Sequence, residues 1–147
     1  MTVLSFPYTR LKLVEPHILY PSGYKTVPMV PITLVAGSRA VPVTLVVDSG
    51  ADYTILSLEV AKLLGLRLAS GVKTVFCGTS GKRQEAHIHP VEITLQDAHD
   101  VVHYTAEVAF GDLPQSVAGL LGRVGFFDHF VVTFNQEKEQ LLLRHTG

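Results

Sequence analysis

Residues 43–51 place one carboxylate directly after an apolar run. Four of the five residues 43–47 are apolar and three are valine, which predicts a strand buried on both faces. Asp48 would then leave the apolar interior at a fixed place, where a carboxylate can take or give a proton. Ser49 and Gly50 turn the chain, because serine can donate and accept hydrogen bonds and glycine tolerates close approach of another backbone. Taken alone, however, Asp-Ser-Gly is also an ordinary turn sequence.

The elements around Asp48 can be predicted from the same patterns. Apolar runs at residues 29–35 and 40–47, separated by a Gly-Ser turn, predict a hairpin that delivers Asp48. Ser57 is a candidate N-cap for a short helix over residues 58–64, and Gly65 is a candidate C-terminal stop.

The rest of the chain is predicted to be mostly strands. Residues 72–76 and 83–88 form a second hairpin with a small, Gly-rich tip, and residues 91–95 and 101–110 form two further strands. Towards the C-terminus, the predicted elements are a buried strand at 117–121, one helical turn at 123–127 and a final hairpin of residues 130–134 and 141–143.

Two short motifs together resemble the single-lobed, retropepsin-like branch of the aspartic proteases. The first is Val46-Val47-Asp48-Ser49-Gly50-Ala51, and the second is Leu120-Leu121-Gly122-Arg123, about seventy residues later. The resemblance covers roughly residues 30–143. It implies an all-β fold with one or two short helices, in which a closed barrel of the acid-protease half-lobe type works as a homodimer.

The resemblance also implies a role for each motif residue. The implied catalytic residues are Asp48, Ser49 and Gly50; the implied substrate-binding residues are Ala51, Asp52, Phe76, Gly78, Thr79, Ser80 and Gly81; the implied structural supports are Leu120, Leu121, Gly122 and Arg123. Arg123 is expected to pair with Asp52. In the flap, the hairpin expected to close over bound peptide, two-lobed relatives carry a tyrosine where this chain has Phe76 followed by an extra Cys77.

Peptide hydrolysis without a metal needs one group that takes a proton from water and another that gives one to the amide carbonyl. Only one carboxylate of the required motif is present, because no second Asp-Thr-Gly or Asp-Ser-Gly occurs. We therefore expect a symmetric homodimer in which two Asp48 carboxylates share a proton, giving an aspartic endopeptidase. One alternative is a non-catalytic retropepsin-like dimerisation or peptide-binding module. Another is a β-barrel in which Asp-Ser-Gly is only a turn.

Composition excludes several other classes of function. Twelve basic residues against thirteen acidic ones give no electrostatic footprint for nucleic acid, and the apolar runs are too short to predict a membrane span. His87 and His89 share one face of a predicted strand, but this pattern is more typical of a solvated face than of a metal site, so we predict neither metal nor cofactor. No signal peptide is evident, and a single cysteine fits a cytoplasmic location.

Four prolines between residues 7 and 28 forbid a long helix in the first part of the chain. We therefore expect residues 1–28 to be an extended N-terminal arm with short strands, followed by the retropepsin-like domain at residues 29–147. The arm could wrap its own domain, wrap a partner subunit or remain loosely ordered.

Overall fold

The computed structural model describes residues 1–77 and 81–147. The strands in chain order are β1 (Thr2–Pro7), β2 (Thr9–Lys12), β3 (Tyr24–Val27), β4 (Met29–Ala36), β5 (Arg39–Val47), β6 (Ile55–Ser57), β7 (Val72–Cys77), β8 (Arg83–Gln96), β9 (Val101–Gly111), β10 (Gly119–Leu121), β11 (Phe130–Asn135) and β12 (Gln140–His145). Helix α1 spans Leu58–Leu63, and one 3-10 turn spans Leu68–Ser70. No helix in this described part of the chain is long and apolar enough to cross a bilayer.

Most of these strands belong to one sheet that closes on itself. Its order is β4-β5-β10-β6-β9-β8-β7, and β4 also pairs with β8 through Thr33↔Thr94, Leu34↔Ile93 and Val35↔Glu92. This extra pairing closes the first six strands of the order into a barrel and leaves β7 outside the ring. The predicted all-β class with a closed barrel and short helical elements is confirmed.

The strand that precedes Asp48 is buried on one face rather than on both. Leu45 and Val47 point into the core, whereas Val43 and Val46 are half-buried and Thr44 is exposed. The predicted burial on both faces is therefore wrong, because in a single-layer barrel alternate residues of each strand point inwards and outwards. The predicted hairpin itself is confirmed, since β4 and β5 pair from Met29↔Val46 to Ala36↔Arg39.

The barrel interior is filled by fully buried aliphatic and aromatic side chains. Members from distant parts of the chain include Leu34, Leu45, Ile93, Phe110 and Leu121. Burying a side chain of this size stabilises the fold by about 1.5–3 kcal/mol relative to exposure.

The first strand completes this core. β1 pairs with β12 in a three-stranded sheet, β1-β12-β11, and Leu4 faces Leu143 across the strand pair. Leu4 and Phe6 are both buried in the same cluster as the barrel residues. The first seven residues therefore pack against their own domain, and the division of the chain at residue 28 stays a prediction.

Three local predictions are wrong. Residues 83–88 and 91–95 are parts of one continuous strand, β8, which runs through Pro90 opposite Glu107. Residues 123–127 form turns rather than a helical turn. Gly125 has a φ of 93°, which is not helical, and the Val124 carbonyl accepts a hydrogen bond from the Thr54 N–H instead of one within a helix. Strand β10 is limited to Gly119–Leu121, so the predicted strand over residues 117–121 is too long.

His89 is also not part of a solvated face. It is buried, its Nε2 lies 3.0 Å from the carbonyl oxygen of Leu68, and its ring packs edge-on against Phe110. The 3-10 turn, which the sequence did not predict, covers this face of β8. His87 of the same strand remains half-buried.

The predicted ends of helix α1 are confirmed. The Ser57 hydroxyl accepts a hydrogen bond from the Val60 N–H at 3.3 Å, and Gly65 has a φ of 69° just beyond the last turn. Glycine is favoured at such a left-handed position because it has no Cβ.

The turn between β8 and β9 is tied to β1 by a carboxylate. Asp97 Oδ1 accepts hydrogen bonds from the N–H groups of His99 and Asp100, both at 2.8 Å, and Oδ2 accepts one from the Ser5 N–H at 2.9 Å. These bonds from His99, Asp100 and Ser5 lower the pKa of Asp97 below its ordinary value. The charged form therefore supports the attachment of β1.

We expect Asp97→Asn to lower the free energy of unfolding at neutral pH. The depressed folded-state pKa means that this stabilisation is present above the unfolded pKa of about 3.9 and is lost as the pH falls through the folded pKa. Chemical denaturation of wild type and variant from pH 7 to pH 2 should therefore give a difference that shrinks with acidification. Asp100→Asn is the matched control, and an equal, pH-independent loss in both variants would contradict the prediction.

Candidate active site

The backbone holds Asp48 at the end of β5 from both sides. The Val47 N–H donates to the Pro28 carbonyl and the Asp48 N–H donates to the Leu121 carbonyl, both at 2.9 Å. On the same side as Leu121, β10 lies parallel to β5 through Leu120↔Val46 and Leu121↔Val47. The carboxylate therefore leaves the barrel from a point that two neighbouring strands fix.

The loop after Asp48 fixes the direction of the carboxylate. Its Oδ1 accepts a hydrogen bond from the Gly50 N–H at 2.9 Å, and its carbonyl accepts one from the Ala51 N–H at 3.2 Å. Asp48 is half-buried, while Ser49 and Gly50 are exposed. The arrangement thus presents one oriented carboxylate at an accessible surface.

A second segment, residues 119–124, crosses this loop and is hydrogen-bonded to it through successive residues. The Arg123 N–H donates to the Ala51 carbonyl at 2.9 Å, and the Val124 N–H donates to the Asp52 carbonyl at 3.0 Å. A Cβ on Gly122 would lie 2.4 Å from the carbonyl carbon and oxygen of Tyr53. Only glycine allows the two backbones to approach this closely.

Thr54 is a positioning residue that the sequence reasoning missed. It is 1% exposed, its hydroxyl accepts a hydrogen bond from the Gly122 N–H at 3.1 Å, and its own N–H donates to the Val124 carbonyl at 2.8 Å. A threonine directly before the apolar pair Ile55 and Leu56 is the signal that could have found it, since buried polar groups nearly always have a partner.

Asp52 and Arg123 form the ion pair that the resemblance implies. In the single chain their side chains are 78% and 60% exposed, respectively. An exposed pair of this kind contributes about 0–1 kcal/mol, so its effect on the isolated chain is small.

The second hairpin lies beside the loop. β7 and β8 pair from Val72↔Ile88 to Cys77↔Arg83, and the half-buried Phe76 ring reaches within contact distance of Gly111. The predicted tip residues Gly78, Thr79 and Ser80 lie outside the described residues. Gly81, which follows them, is exposed with a φ of 75°. The substrate-binding roles of Phe76 and of this tip stay predictions.

Tyr53 connects the loop to this hairpin, and the sequence analysis assigned it no role. Its hydroxyl donates to the Val75 carbonyl at 3.4 Å. Partial burial, followed by the nearby Asp52 carboxylate and Cys77, raises the pKa of Tyr53 above its ordinary value. The phenol therefore stays protonated and available as a donor at neutral pH. No local pattern marked it, because its partner lies 22 residues away.

This arrangement supplies one half of an acid-base pair. The Asp48 carboxylate can accept a proton or, when protonated, give one, but it cannot do both in the same step. Asp52, the other acid of the loop, is paired with Arg123. Within this loop, Asp48 is therefore the carboxylate that is not paired with a cation.

We expect Gly122→Ala to destabilise the fold and to disturb the Asp48 loop. The added methyl group must push apart two backbones that are hydrogen-bonded to each other, and overpacking of this kind costs about 1–3 kcal/mol. Thermal melting measures the loss. Gly37→Ala is a useful control, because its added Cβ meets nothing within 4 Å and only its φ of 58° is strained. A Gly122→Ala protein no less stable than this control would contradict the close crossing.

The fold of this chain is similar to that of a solved retropepsin-like aspartic protease. The crystal structure of a retropepsin-like aspartic protease from Rickettsia conorii matches with a TM-score of 0.56 and 20% identity, covering 97% of this chain and 99% of that one. The retroviral protease-like domain of Ddi1 from Leishmania major has a TM-score of 0.49 and 20% identity, with 83% and 97% covered. EIAV protease in complex with the inhibitor HBY-793 has a TM-score of 0.45 and 20% identity, with 67% and 84% covered.

Comparison with curated protein sequences finds no match. The family model described as "Aspartyl protease" matches residues 30–124, which is well over half of the chain. The matched range contains both Asp48 with its loop and the crossing segment that ends at Val124. Together with the retropepsin-like fold, this match shows that the chain belongs to the aspartyl protease family.

Proposed function

We propose that this protein is an aspartic endopeptidase that hydrolyses peptide bonds with a water molecule activated between two Asp48 carboxylates, one from each chain of a homodimer. The observation that carries the proposal is the position of Asp48. It combines the Asp-Ser-Gly motif of the family with a backbone that is fixed by Leu121 and a carboxylate that is oriented by Gly50.

The need for a second chain follows from the other acids near the end of the barrel. Asp52 is paired with Arg123, and Asp128 accepts a hydrogen bond from the Gly125 N–H at 3.0 Å. Neither lies in an Asp-Ser-Gly or Asp-Thr-Gly motif. A two-fold axis through the site would bring a second Asp48 to the first, as closed two-fold symmetry requires for an identical surface.

The proposed mechanism uses the two carboxylates in different protonation states. At close range two like charges cannot both ionise cheaply, so one carboxyl keeps its proton. The ionised Asp48 takes a proton from water as the oxygen bonds to the amide carbon, and the protonated Asp48 gives its proton to the carbonyl oxygen. The tetrahedral diol then breaks its C–N bond as the nitrogen receives the proton that the first Asp48 took from water. As the C=O bond of the new carboxylic acid forms, one diol hydroxyl returns its proton to the second Asp48, which restores the starting protonation states.

The remaining site residues bind and position the peptide in this proposal. Ser49 braces the two loops across the dimer, and the Gly50 carbonyl lies next to the substrate. The groove and the flap that closes it are formed by Ala51, Asp52, Phe76, Gly78, Thr79, Ser80 and Gly81, supported from below by Leu120, Leu121, Gly122 and Arg123.

The exposure of the loop in the single chain supports this arrangement. Ser49, Gly50 and the Asp52–Arg123 pair all lie at the surface beside Asp48, which leaves this face available to a partner and a peptide. Cys77 is the single cysteine of the chain and is free, which supports a cytoplasmic location as part of the proposal.

A second candidate function is a retropepsin-like dimerisation or peptide-binding module without turnover. It is favoured by the hairpin at β7, where Phe76 packs against Gly111 and offers no hydroxyl. This candidate shares the dimer with the first one. The two are separated by hydrolysis itself.

We expect Asp48→Asn to abolish hydrolysis while leaving the fold and the dimer intact. Asparagine keeps the size of the side chain but cannot act as a base, and it removes the repulsion between two carboxylates, so stability at neutral pH should not fall. A peptide-library assay between pH 3 and pH 8 measures activity, and the wild-type rate should be bell-shaped with an acidic optimum. Asp112→Asn, at an exposed loop position, is the matched control.

Activity that survives in Asp48→Asn, or a rate that keeps rising into alkaline pH, would identify a different catalytic group. A dimeric wild type that cleaves no member of the library would instead support the binding module.

We also expect specific activity to fall on dilution, because a separated chain holds only half of the acid-base pair. Sedimentation velocity and activity should be measured over the same concentration series, and the two transitions should coincide. If the protein were a monomer at every concentration and kept its full specific activity, the mechanism in which two Asp48 carboxylates share a proton (the shared dyad) would be contradicted.

A further inference from the structure

The N-terminal hairpin arm, defined as residues 9–27, has no buried residue. β2 and β3 pair with each other as a separate two-stranded sheet, and the Leu13 N–H extends the ladder to the Gly23 carbonyl at 2.9 Å. An isolated two-stranded hairpin is only marginally stable in water. The four residues of β3 are half-buried, but no side chain of the arm is fully buried, so the arm is a well-defined element with little packing of its own.

The tip of the arm presents aliphatic side chains at the corner of an ordered turn. The Tyr20 N–H donates to the His17 carbonyl at 3.0 Å, and their rings are in contact with centroids 5.1 Å apart. Ile18 and Leu19 thus occupy the two central positions of the turn, where they are 92% and 74% exposed, respectively. Glycine, asparagine, aspartate and proline are the usual residues there, so turn formation does not explain the aliphatic pair.

The base of the arm lies next to the proposed catalytic residue. The arm ends at Val27, the following Pro28 carbonyl accepts a hydrogen bond from the Val47 N–H at 2.9 Å, and Met29 pairs with Val46. The arm therefore leaves the fold beside the strand end that delivers Asp48. In a homodimer whose two-fold axis passes between two Asp48 carboxylates, both arms start close to that axis.

We propose that the N-terminal hairpin arm clasps the second copy of the chain, with Ile18 and Leu19 packed on the partner subunit. This inference rests on the proposed function, because the need for a second Asp48 brings the partner to this side of the molecule. Two-fold symmetry makes each contact occur twice, so two small apolar tips together remove four aliphatic side chains from water. The same contact supplies the packing that the two-stranded arm lacks.

The test uses the double variant I18N/L19N in the full chain. Asparagine is favoured in turns, so the arm should keep its shape while losing its apolar tip. We expect the dimer dissociation constant from sedimentation to rise roughly tenfold or more, with the activity midpoint on dilution shifting by the same factor. Leu63→Gln removes an aliphatic side chain that is 57% exposed on helix α1 and should leave both quantities unchanged.

The other outcomes distinguish a failure of the clasp from a failure of the proposed function. A dimeric wild type with an unchanged dissociation constant in I18N/L19N would overturn the clasp and leave the shared dyad standing. A raised KM at an unchanged dissociation constant would assign the arm to substrate and also overturn the clasp. An active wild type that is monomeric at every concentration would overturn both the clasp and the dyad.

A second measurement covers the case in which the double variant folds poorly. A photo-cross-linking amino acid at position 18 in the otherwise unchanged chain should give a product of dimer mass whose yield falls on dilution. The same probe at position 63 is the control. Cross-links confined to single chains at position 18 would overturn the clasp.

Discussion

The crossing of the Asp48 loop by residues 119–124 is the interaction on which the rest of this structure depends. Most of its hydrogen bonds run between backbone groups, as from Asp48 to Leu121 and from Arg123 to Ala51, and the Gly122 N–H donates to the Thr54 hydroxyl. Each such bond is worth about 0.5–1.5 kcal/mol net, and leaving a buried partner unpaired costs more. The loop conformation is therefore set by backbone geometry and by the absence of a side chain at Gly122, which leaves Asp48 free for chemistry.

Within one chain the barrel core is complete, whereas the proposed catalytic centre holds a single carboxylate of the Asp-Ser-Gly motif. The core is filled by residues of one chain, including Leu4 and Phe6 of the first strand. The carboxylate, in contrast, lies at the rim with exposed neighbours, and the other acid of its loop is bound to Arg123. A fold that is complete in one chain but offers a single oriented carboxylate fits a reaction that needs two only if symmetry supplies the second.

The features that could be predicted from the sequence are those that depend on residues close together in the chain. The strand before Asp48, the turn after it and the Ser57 cap of helix α1 each depend on residues within a few positions of one another, and these elements are present. The burial of His89 and the bonds of Thr54 depend on segments 21 and 68 residues away, respectively. No periodicity in the chain carries that information, because barrel closure decides which faces are covered.

The position of β7 relates the barrel to the proposed flap. β7 lies at the end of the sheet order outside the closed ring, and all six of its residues are exposed or half-buried. Such an edge hairpin can move at a lower cost than a barrel strand, because fewer apolar contacts are lost. Tyr53 acts against this freedom, since its hydroxyl reaches the Val75 carbonyl from the Asp48 loop. The loop that carries the carboxylate is thus also hydrogen-bonded to the base of the hairpin at Val75.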